Sequence, residues 1–138
     1  MDLHLNDAQR LLIESAESFL GERSRQWLRP EATDRSEQAI RELYASMAEL
    51  GWMGLMVPEG QGGSGLTPLD AVLLSEQLGY HGCPVPYVTS VSVSTALLVA
   101  CPRSRRRDQL LSQLAIGEAL PGVALMEIVS RPDIRGPE

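Results

Sequence analysis

The sequence predicts a mainly α-helical bundle of about five helices, with one or two short strands at most. Helix-start residues stand before several apolar runs, and within those runs leucine, alanine and methionine recur three and four positions apart. Hydrophobic residues make up 43% of the chain and aromatic residues only 4%. The core is therefore expected to be aliphatic, and 138 residues are enough for one domain with such a core.

The first helix is predicted from a capping box at its start. Asn6 can act as N-cap and Gln9 as the N3 residue, so that each side chain bonds the other's backbone amide. The helical spacing continues to about Trp27, and Pro30 ends the helix because proline cannot continue it.

The second helix is predicted to run from near Ser36 to Leu50. Gly51 follows at the position where a left-handed residue closes a helix. The segment Trp52–Val57 is short and rich in residues that bury well, and we interpret it as an extended connector that Pro58 terminates.

A glycine run at residues 60–65 matches the dinucleotide fingerprint G-x-G-x-x-G. In that fingerprint the strand runs directly into the turn, whereas here Pro58 and Glu59 intervene. The acidic residue expected further along would be Asp70 or Glu76, and both lie within the next predicted helix. We therefore interpret the run as a tight irregular loop.

The third helix has the clearest start in the chain. Thr67 is a hydroxyl N-cap, Pro68 occupies the first helical position and Asp70 the third. The helix is predicted to continue to Tyr80, and its apolar residues cover two faces, which indicates a buried helix. Glu76 is expected to lie on a solvated stripe.

The stretch ELGWMGLMVPEGQGGSGLTPLDAVLLSEQLGY, residues Glu49–Tyr80, resembles the N-terminal helical domain of the acyl-CoA dehydrogenase family. That domain has a helix ending in E-L-G, a P-E-x-x-G-G-x-G turn and a helix of the form D-x-x-x-x-x-E-x-L. The matching residues are Pro58, Glu59, Gly62, Gly63, Gly65, Asp70, Glu76 and Leu78. The order of elements from Leu3 to about Glu127 is similar to that domain followed by the first strand of the family's β-domain.

The residue pattern and the resemblance disagree over the next segment. Tyr87–Ser94 alternates and is β-branched, so propensity alone predicts a strand. The resemblance implies instead that Val88–Ala100 is a helix, and this is our expectation.

A basic run, Arg103–Arg107, precedes a helix predicted over Asp108–Ile116. We interpret the run as a solvated surface, with phosphate contact as the alternative. Val123–Ile128 is predicted to begin a strand. The resemblance thus divides the chain into a helical domain at 1–121 and the start of a truncated β-domain at 122–138.

The resemblance implies a role in flavin-dependent oxidation of an acyl-CoA thioester between its α- and β-carbons. In the family the base that removes the α-proton lies in a C-terminal helical domain that this chain lacks. No residue here is therefore expected to be catalytic, and that includes Glu59, Glu76 and Glu127.

The resemblance also suggests binding residues. The helix at Val88–Ala100 and the corner before it line part of the family's acyl pocket, so Tyr87, Ser90, Val91 and Ser94 are candidate substrate contacts, with plain helix packing as the alternative.

Leu125 and Glu127 match the family's FAD-contacting strand, whereas Met126 replaces a threonine and removes its hydroxyl. FAD binding by this chain alone is accordingly expected to be weak.

Composition argues against several classes of binding partner. The net charge is −6 and every basic residue is arginine, which argues against nucleic acid and anionic membranes. The two cysteines and two histidines form no metal-site pattern. The start lacks the features of a secretory signal and the longest apolar run is too short to span a bilayer, so a cytoplasmic location is expected.

Three functional interpretations stay open at this point. The chain is a component of an acyl-CoA dehydrogenase, a non-catalytic dehydrogenase-like partner subunit, or a helical interaction module without flavin. In each of them its uncovered apolar faces predict a homo-oligomer or a complex with a second subunit.

Overall fold

Helices dominate the part of the chain that the computed structural model describes, which comprises residues 4–27 and 37–124. No strand occurs in those two ranges, so the prediction of a mainly α-helical bundle is confirmed. The helices are α1 (Asp7–Trp27), α2 (Glu37–Glu49), α3 (Pro68–Tyr80), α4 (Val93–Ala100) and α5 (Arg105–Ala115), with a 3-10 turn at Glu59–Gln61 and a π-helical turn at Val88–Ser92 directly before α4.

The predicted capping box opens α1. The backbone N–H of Gln9 donates to Asn6 Oδ1 at 2.8 Å, and that of Asn6 donates to Gln9 Oε1 at 3.1 Å. Helix α1 packs along α3, and its Phe19 ring meets Trp52 edge-on with centroids 5.3 Å apart.

The segment between α2 and α3 passes through the core. Trp52, Met53, Leu55 and Val57 are all at most 5% exposed. The prediction of an extended connector here is wrong, because the backbone folds through successive turns, with Val57 N–H donating to Gly54 O at 3.1 Å.

The loop at residues 60–66, called the glycine loop below, explains why the segment Trp52–Val57 folds back. Three backbone bonds join it to the loop: Ser64 N to Gly54 O at 2.9 Å, Gly65 N to Val57 O at 2.8 Å and Leu66 N to Leu55 O at 2.8 Å. A Cβ at Gly63 would stand only 2.1 Å from Val57 O. The glycines thus serve a close approach of two backbones, in line with the interpretation of a tight loop.

The segment Val88–Ala100 is helical. The helix that the resemblance implies is therefore confirmed, and the strand that propensity predicts is wrong. Its first five residues, Val88–Ser92, form a π turn, in which Val93 N–H bonds Val88 O. Burial of one side of this segment in the core overrides the strand propensity of its β-branched residues.

Helix α5 begins at Arg105, before the predicted Asp108, because Ser104 Oγ caps it by accepting from Arg107 N–H at 3.2 Å. Arg103, Arg105 and Arg106 are exposed as expected. Arg107 is buried, however, so the solvated-surface interpretation is wrong for this residue.

The guanidinium of Arg107 serves the end of α4. It donates to the carbonyl oxygens of Leu98 at 2.7 Å and Val99 at 3.2 Å, and it pairs with Asp108 at 2.7 Å. The carbonyl of Val99 is one that a helix C-terminus leaves without an intrahelical partner, whereas that of Leu98 also accepts from Cys101 N–H at 3.2 Å.

The tail is described only in part. Val123 and Ala124 belong to no regular element, and the rest of the predicted strand Val123–Ile128 lies outside the described residues. The division of the chain at residues 121 and 122 stays a prediction.

Candidate functional site

An apolar groove of about 500 Å³ lies between α3 and the segment formed by the π turn and α4. The residues that line it are Met56, Pro68, Ala71, Val72, Ser75, Glu76, Val88, Ser92, Val93 and Ala96. Its size falls within the range of small-molecule sites in proteins, which are mostly apolar with few polar groups.

One stripe of α3 forms the first wall. Ala71, Val72, Ser75 and Glu76 recur at helical spacing, so they share one face of the helix. The Ser75 hydroxyl donates to Ala71 O at 2.6 Å, which satisfies its proton within the helix. This wall therefore offers mainly carbon surface, with Glu76 exposed at the rim.

The π turn shapes the second wall. Val88 and Val93 both line the groove although they lie five positions apart. In a regular α-helix residues with that separation point about 140° apart, whereas the π turn closes a full turn between them. The irregular turn therefore brings these two side chains to one face.

A smaller cavity of about 260 Å³ adjoins the groove, and Ser75 and Val88 line both. Cys83 and Tyr87 border this cavity. Burial raises the pKa of the Cys83 thiol, against a smaller opposing effect of a backbone bond to Val85. Cys83 therefore stays a neutral thiol near pH 7, which disfavours a role as nucleophile.

The four candidate substrate contacts lie together on the buried side of the π turn and α4. Tyr87, Ser90, Val91 and Ser94 are all at most 9% exposed. The Tyr87 hydroxyl donates to Trp52 O at 2.8 Å. Burial, with a smaller contribution from Tyr44, raises the Tyr87 pKa, so the phenol keeps its proton.

None of the four lines the larger groove, and only Tyr87 borders the smaller cavity. Their assignment to an acyl pocket stays a prediction. The groove residues Val88, Ser92, Val93 and Ala96 had no sequence signal of their own, because the π turn decides which side chains face α3.

The four acidic residues considered in the sequence analysis differ in their surroundings. Glu59 and Glu76 are exposed, and Glu127 lies outside the described residues. Asp70 is buried at the start of α3, where its Oδ2 accepts from Thr67 N–H at 2.8 Å and from the Thr67 hydroxyl at 2.6 Å. Asp70 therefore has a structural role at a helix start.

The described residues hold neither a metal-binding cluster nor a membrane-spanning helix. No group of three or more histidine, cysteine, aspartate or glutamate side chains is placed to hold a metal ion there. No helix in that part of the chain has the length and apolar character needed to cross a bilayer. The predicted flavin contacts, Leu125 and Glu127, lie outside it.

Comparison with known proteins adds a family match. Residues 6–118 match the family model for the N-terminal domain of acyl-CoA dehydrogenase. The chain is 33% identical over 95 residues to (2S)-methylsuccinyl-CoA dehydrogenase of Cereibacter sphaeroides, covering 67% of this chain and 17% of that protein. It is 29% identical over 136 residues to mitochondrial isovaleryl-CoA dehydrogenase of Pongo abelii, covering 94% of this chain and 31% of that protein.

Two solved structures have a similar fold. A variant of the Tcur3481–Tcur3483 steroid ACAD superposes with a TM-score of 0.73 at 27% identity, covering 89% of this chain and 34% of that one. The ChsE4–ChsE5 complex from Mycobacterium tuberculosis gives a TM-score of 0.63 at 24% identity, covering 86% and 30%. The chain thus spans about a third or less of the length of these relatives.

Proposed function

Because the chain belongs to the acyl-CoA dehydrogenase family, we propose that it forms the N-terminal helical part of a flavin-dependent acyl-CoA dehydrogenase. In this proposal it supplies one wall of the acyl pocket and a surface for assembly with the remaining parts of the enzyme. That part of the acyl pocket is the groove between α3 and the segment formed by the π turn and α4.

The observation that carries the proposal is the chemistry of the groove. Its two walls present methyl and methylene groups from Ala71, Val72, Val88, Val93 and Ala96. Each methylene of a ligand that leaves water for such a surface contributes about 0.8 kcal/mol. An acyl group therefore finds a complementary surface here, whereas the charged part of coenzyme A does not.

In this proposal, hydride transfer and proton removal are assigned to FAD and to a separate domain. FAD, on which the family depends, accepts the hydride when bound, and a base in a separate helical domain accepts the α-proton. Leu125 and Glu127 remain the predicted flavin contacts of this chain. Its described residues are assigned the binding and orientation of the acyl group alone.

The names of the relatives support the ligand class. One is named for isovaleryl-CoA and another for (2S)-methylsuccinyl-CoA. Both names specify coenzyme A thioesters, which supports the same general class for this chain.

The test is a titration of the chain with octanoyl-CoA and with free coenzyme A, followed by NMR chemical shifts. We expect octanoyl-CoA to shift the groove methyl signals and free coenzyme A to leave them in place. Val72→Asp places a charge in the groove and should weaken octanoyl-CoA binding at least about tenfold.

Val99→Asp is the matched control, because Val99 is also an exposed valine on a helix but does not line the groove. It should leave the affinity within about twofold of the starting chain. Octanoyl-CoA binding that is absent, or that both variants weaken equally, would contradict the proposal.

A non-catalytic partner subunit is the second candidate, and it would use exposed apolar residues to pair with a dehydrogenase-like chain. Leu69, Val72, Val88, Leu97 and Val99 are between 42% and 61% exposed. Surfaces of this kind commonly mark interfaces, and both similar solved structures carry the names of two components.

Light scattering after size-exclusion chromatography tests the assembly surface that both candidates require. A chain that serves assembly should self-associate or, when alone, bind a hydrophobic dye. A sharp monomer peak without dye binding would show that the apolar residues do not form an assembly surface.

A further inference from the structure

We propose that the corner between α4 and α5 binds the phosphate groups of coenzyme A when the acyl group of the same molecule occupies the groove. This corner comprises residues 102–106 and is called the basic corner below. The inference rests on the proposed function, which concerns the acyl group, and it adds the residues that hold the charged end of the ligand.

The basic corner presents three arginine side chains to solvent. Arg103, Arg105 and Arg106 are all exposed. Both ion pairs found among the described residues involve other arginines. Three guanidinium groups are therefore available to an anion from solution, and a guanidinium can bind two phosphate oxygens at once.

The chain around the basic corner carries little opposing charge. The sequence has no acidic residue from 77 to 107, although the net charge of the whole protein is −6. The first carboxylate after that stretch, Asp108, already accepts from Arg107 at 2.7 Å. Positive charge is thus concentrated at one place on an otherwise acidic chain, which favours binding of an anionic group there.

The basic corner lies beyond one end of the groove. The second wall runs from Val88 to Ala96, and α4 then continues for one more turn before the corner. From the rise of a helix and the spacing of successive Cα atoms, Arg103 Cα is at most roughly 17 Å from Ala96 Cα. The pantetheine arm between the sulfur and the first phosphate of coenzyme A is about 16 Å long when extended. One ligand can therefore reach both places.

The opposite end of the groove is unsuited to phosphate. Ser75 and Val88 lie at that end, where they also line the smaller cavity, and no charged side chain among the described residues lines this cavity. Glu76, the neighbour of Ser75, places a carboxylate at the rim of the groove. We therefore infer that the last carbons of the acyl group point toward Val88 and the thioester toward the basic corner.

Buried Arg107 fixes the basic corner to α4. Its guanidinium donates to the carbonyl oxygens of Leu98 at 2.7 Å and Val99 at 3.2 Å. These bonds hold the first turn of α5, which carries Arg105 and Arg106, against the end of the helix that forms the groove wall. Binding therefore has to order only the exposed side chains, which limits its entropic cost.

The experiment compares octanoyl-CoA with octanoyl-pantetheine, which has the same acyl group and arm but no phosphate. Each is titrated into the full chain, and the shifts of the groove methyl signals give the affinities. We expect octanoyl-CoA to bind at least about tenfold more tightly at low salt. The difference should shrink below about threefold in about 1 M salt, which screens charges beyond about 3 Å.

A triple variant tests the arginines directly. Replacing Arg103, Arg105 and Arg106 by glutamine should bring the affinity for octanoyl-CoA to within about twofold of that for octanoyl-pantetheine. Binding of octanoyl-pantetheine itself should not change. A charge-matched control replaces three exposed arginines of α1 and α2 by glutamine, and it should keep the tenfold difference. These are Arg10, Arg25 and Arg41.

The outcomes separate this inference from the function on which it rests. Equal affinities of the starting chain for the two ligands, or equal losses in the two triple variants, would overturn the inference. Shifts of the groove methyl signals by octanoyl-pantetheine would then still support the acyl-wall proposal. If neither ligand shifts those signals, both proposals are overturned.

The direction of the ligand gives a readout that needs no substitution. Intermolecular nuclear Overhauser effects should join the terminal methyl group of octanoyl-CoA to Val88 and the methylene group next to its thioester to Ala96. The reverse order of contacts would overturn the inference, because the phosphates would then lie at the end of the groove away from the basic corner.

Discussion

The side-chain amide of Gln9 joins the first turns of two helices, because its Nε2 donates to Asp70 Oδ1 at 3.0 Å across a sequence separation of 61 residues. Gln9 also completes the capping box of α1, and Asp70 caps the start of α3. One hydrogen bond thus couples the helix-start signals of α1 and α3, and it fixes α1 against the helix that carries the first groove wall.

The charge of Asp70 is stabilised in this arrangement. Burial raises the Asp70 pKa, but bonds from the Thr67 hydroxyl, the Gln9 amide and backbone N–H groups outweigh it, so the pKa is lowered overall. A lowered folded-state pKa adds stability above the unfolded value of about 3.9. That stability is lost as the pH falls through the folded-state pKa.

Gln9→Glu separates the two roles of Gln9. Glutamate can still cap Asn6, but it places a second carboxylate against Asp70. We expect the free energy of unfolding to fall by about 2 kcal/mol at pH 7, measured by urea denaturation. The deficit should shrink below about pH 4, where protonation removes the repulsion.

Gln38→Glu is the matched control for this prediction. Gln38 Nε2 donates to Glu42 Oε1 at 2.7 Å, so the substitution also opposes two carboxylates, but at an exposed position. It should cost only about 0.2–0.5 kcal/mol. Equal costs for the two variants would show that the bond between α1 and α3 contributes nothing.

Arg107→Ala is expected to lower the free energy of unfolding by about 2–3 kcal/mol. The substitution leaves the carbonyls of Leu98 and Val99 without their charged donor at the end of α4. Arg106→Ala, at an exposed position of the same run, should stay within about 0.5 kcal/mol. Chemical denaturation checks both, and similar losses would refute the assigned role of Arg107.

Gly63→Ala is expected to cost about 3 kcal/mol or more. The added Cβ would stand 2.4 Å from Val57 Cβ and 2.6 Å from Gly54 O, so the loop must move away from the core. Gly60→Ala meets nothing within 4 Å and should be nearly neutral. Thermal unfolding of the two variants measures the difference, and a neutral Gly63→Ala would contradict the close approach.

Thr95→Val is expected to raise the free energy of unfolding by about 1 kcal/mol. Thr95 is 1% exposed, and its hydroxyl has no hydrogen-bond partner among the described residues. Valine has a similar shape and removes the cost of a buried, unpaired hydroxyl. Thr89→Val is the control, since Thr89 is exposed and its hydroxyl donates to Pro86 O at 3.4 Å.

Thr89→Val should stay within about 0.5 kcal/mol of the starting chain. A loss of stability in Thr95→Val, measured by urea denaturation against this control, would show that the Thr95 hydroxyl has a partner after all.

Local signals predicted the helix starts well. The capping residues of α1 and α3 act within four positions of one another, so the residues at 6–9 and 67–70 determined both helix starts without knowledge of the fold. The start of α5 was missed because an arginine run disfavours a helix N-terminus. The Ser104 cap, which is a local signal, and bonds from Arg107 to the preceding helix, which no local pattern reveals, together offset that effect.

Features that depend on distant contacts were not predictable in the same way. The turns at Trp52–Val57 depend on backbone bonds to the glycine loop. The π turn at Val88–Ser92 has the sequence of a strand, and burial of Val91 and its neighbours selects the helix. The groove residues follow from that turn, so the sequence led to the serines on the buried side and not to Val88, Val93 and Ala96.

The most direct test of the acyl-binding groove is a set of intermolecular nuclear Overhauser effects between octanoyl-CoA and the chain. If the groove binds the acyl group, its protons will show contacts to the methyl groups of Ala71, Val72, Val88, Val93 and Ala96. Contacts confined to exposed apolar residues elsewhere, such as Leu11 at 65% and Ile116 at 60% exposure, would contradict the assignment of the acyl group to this groove.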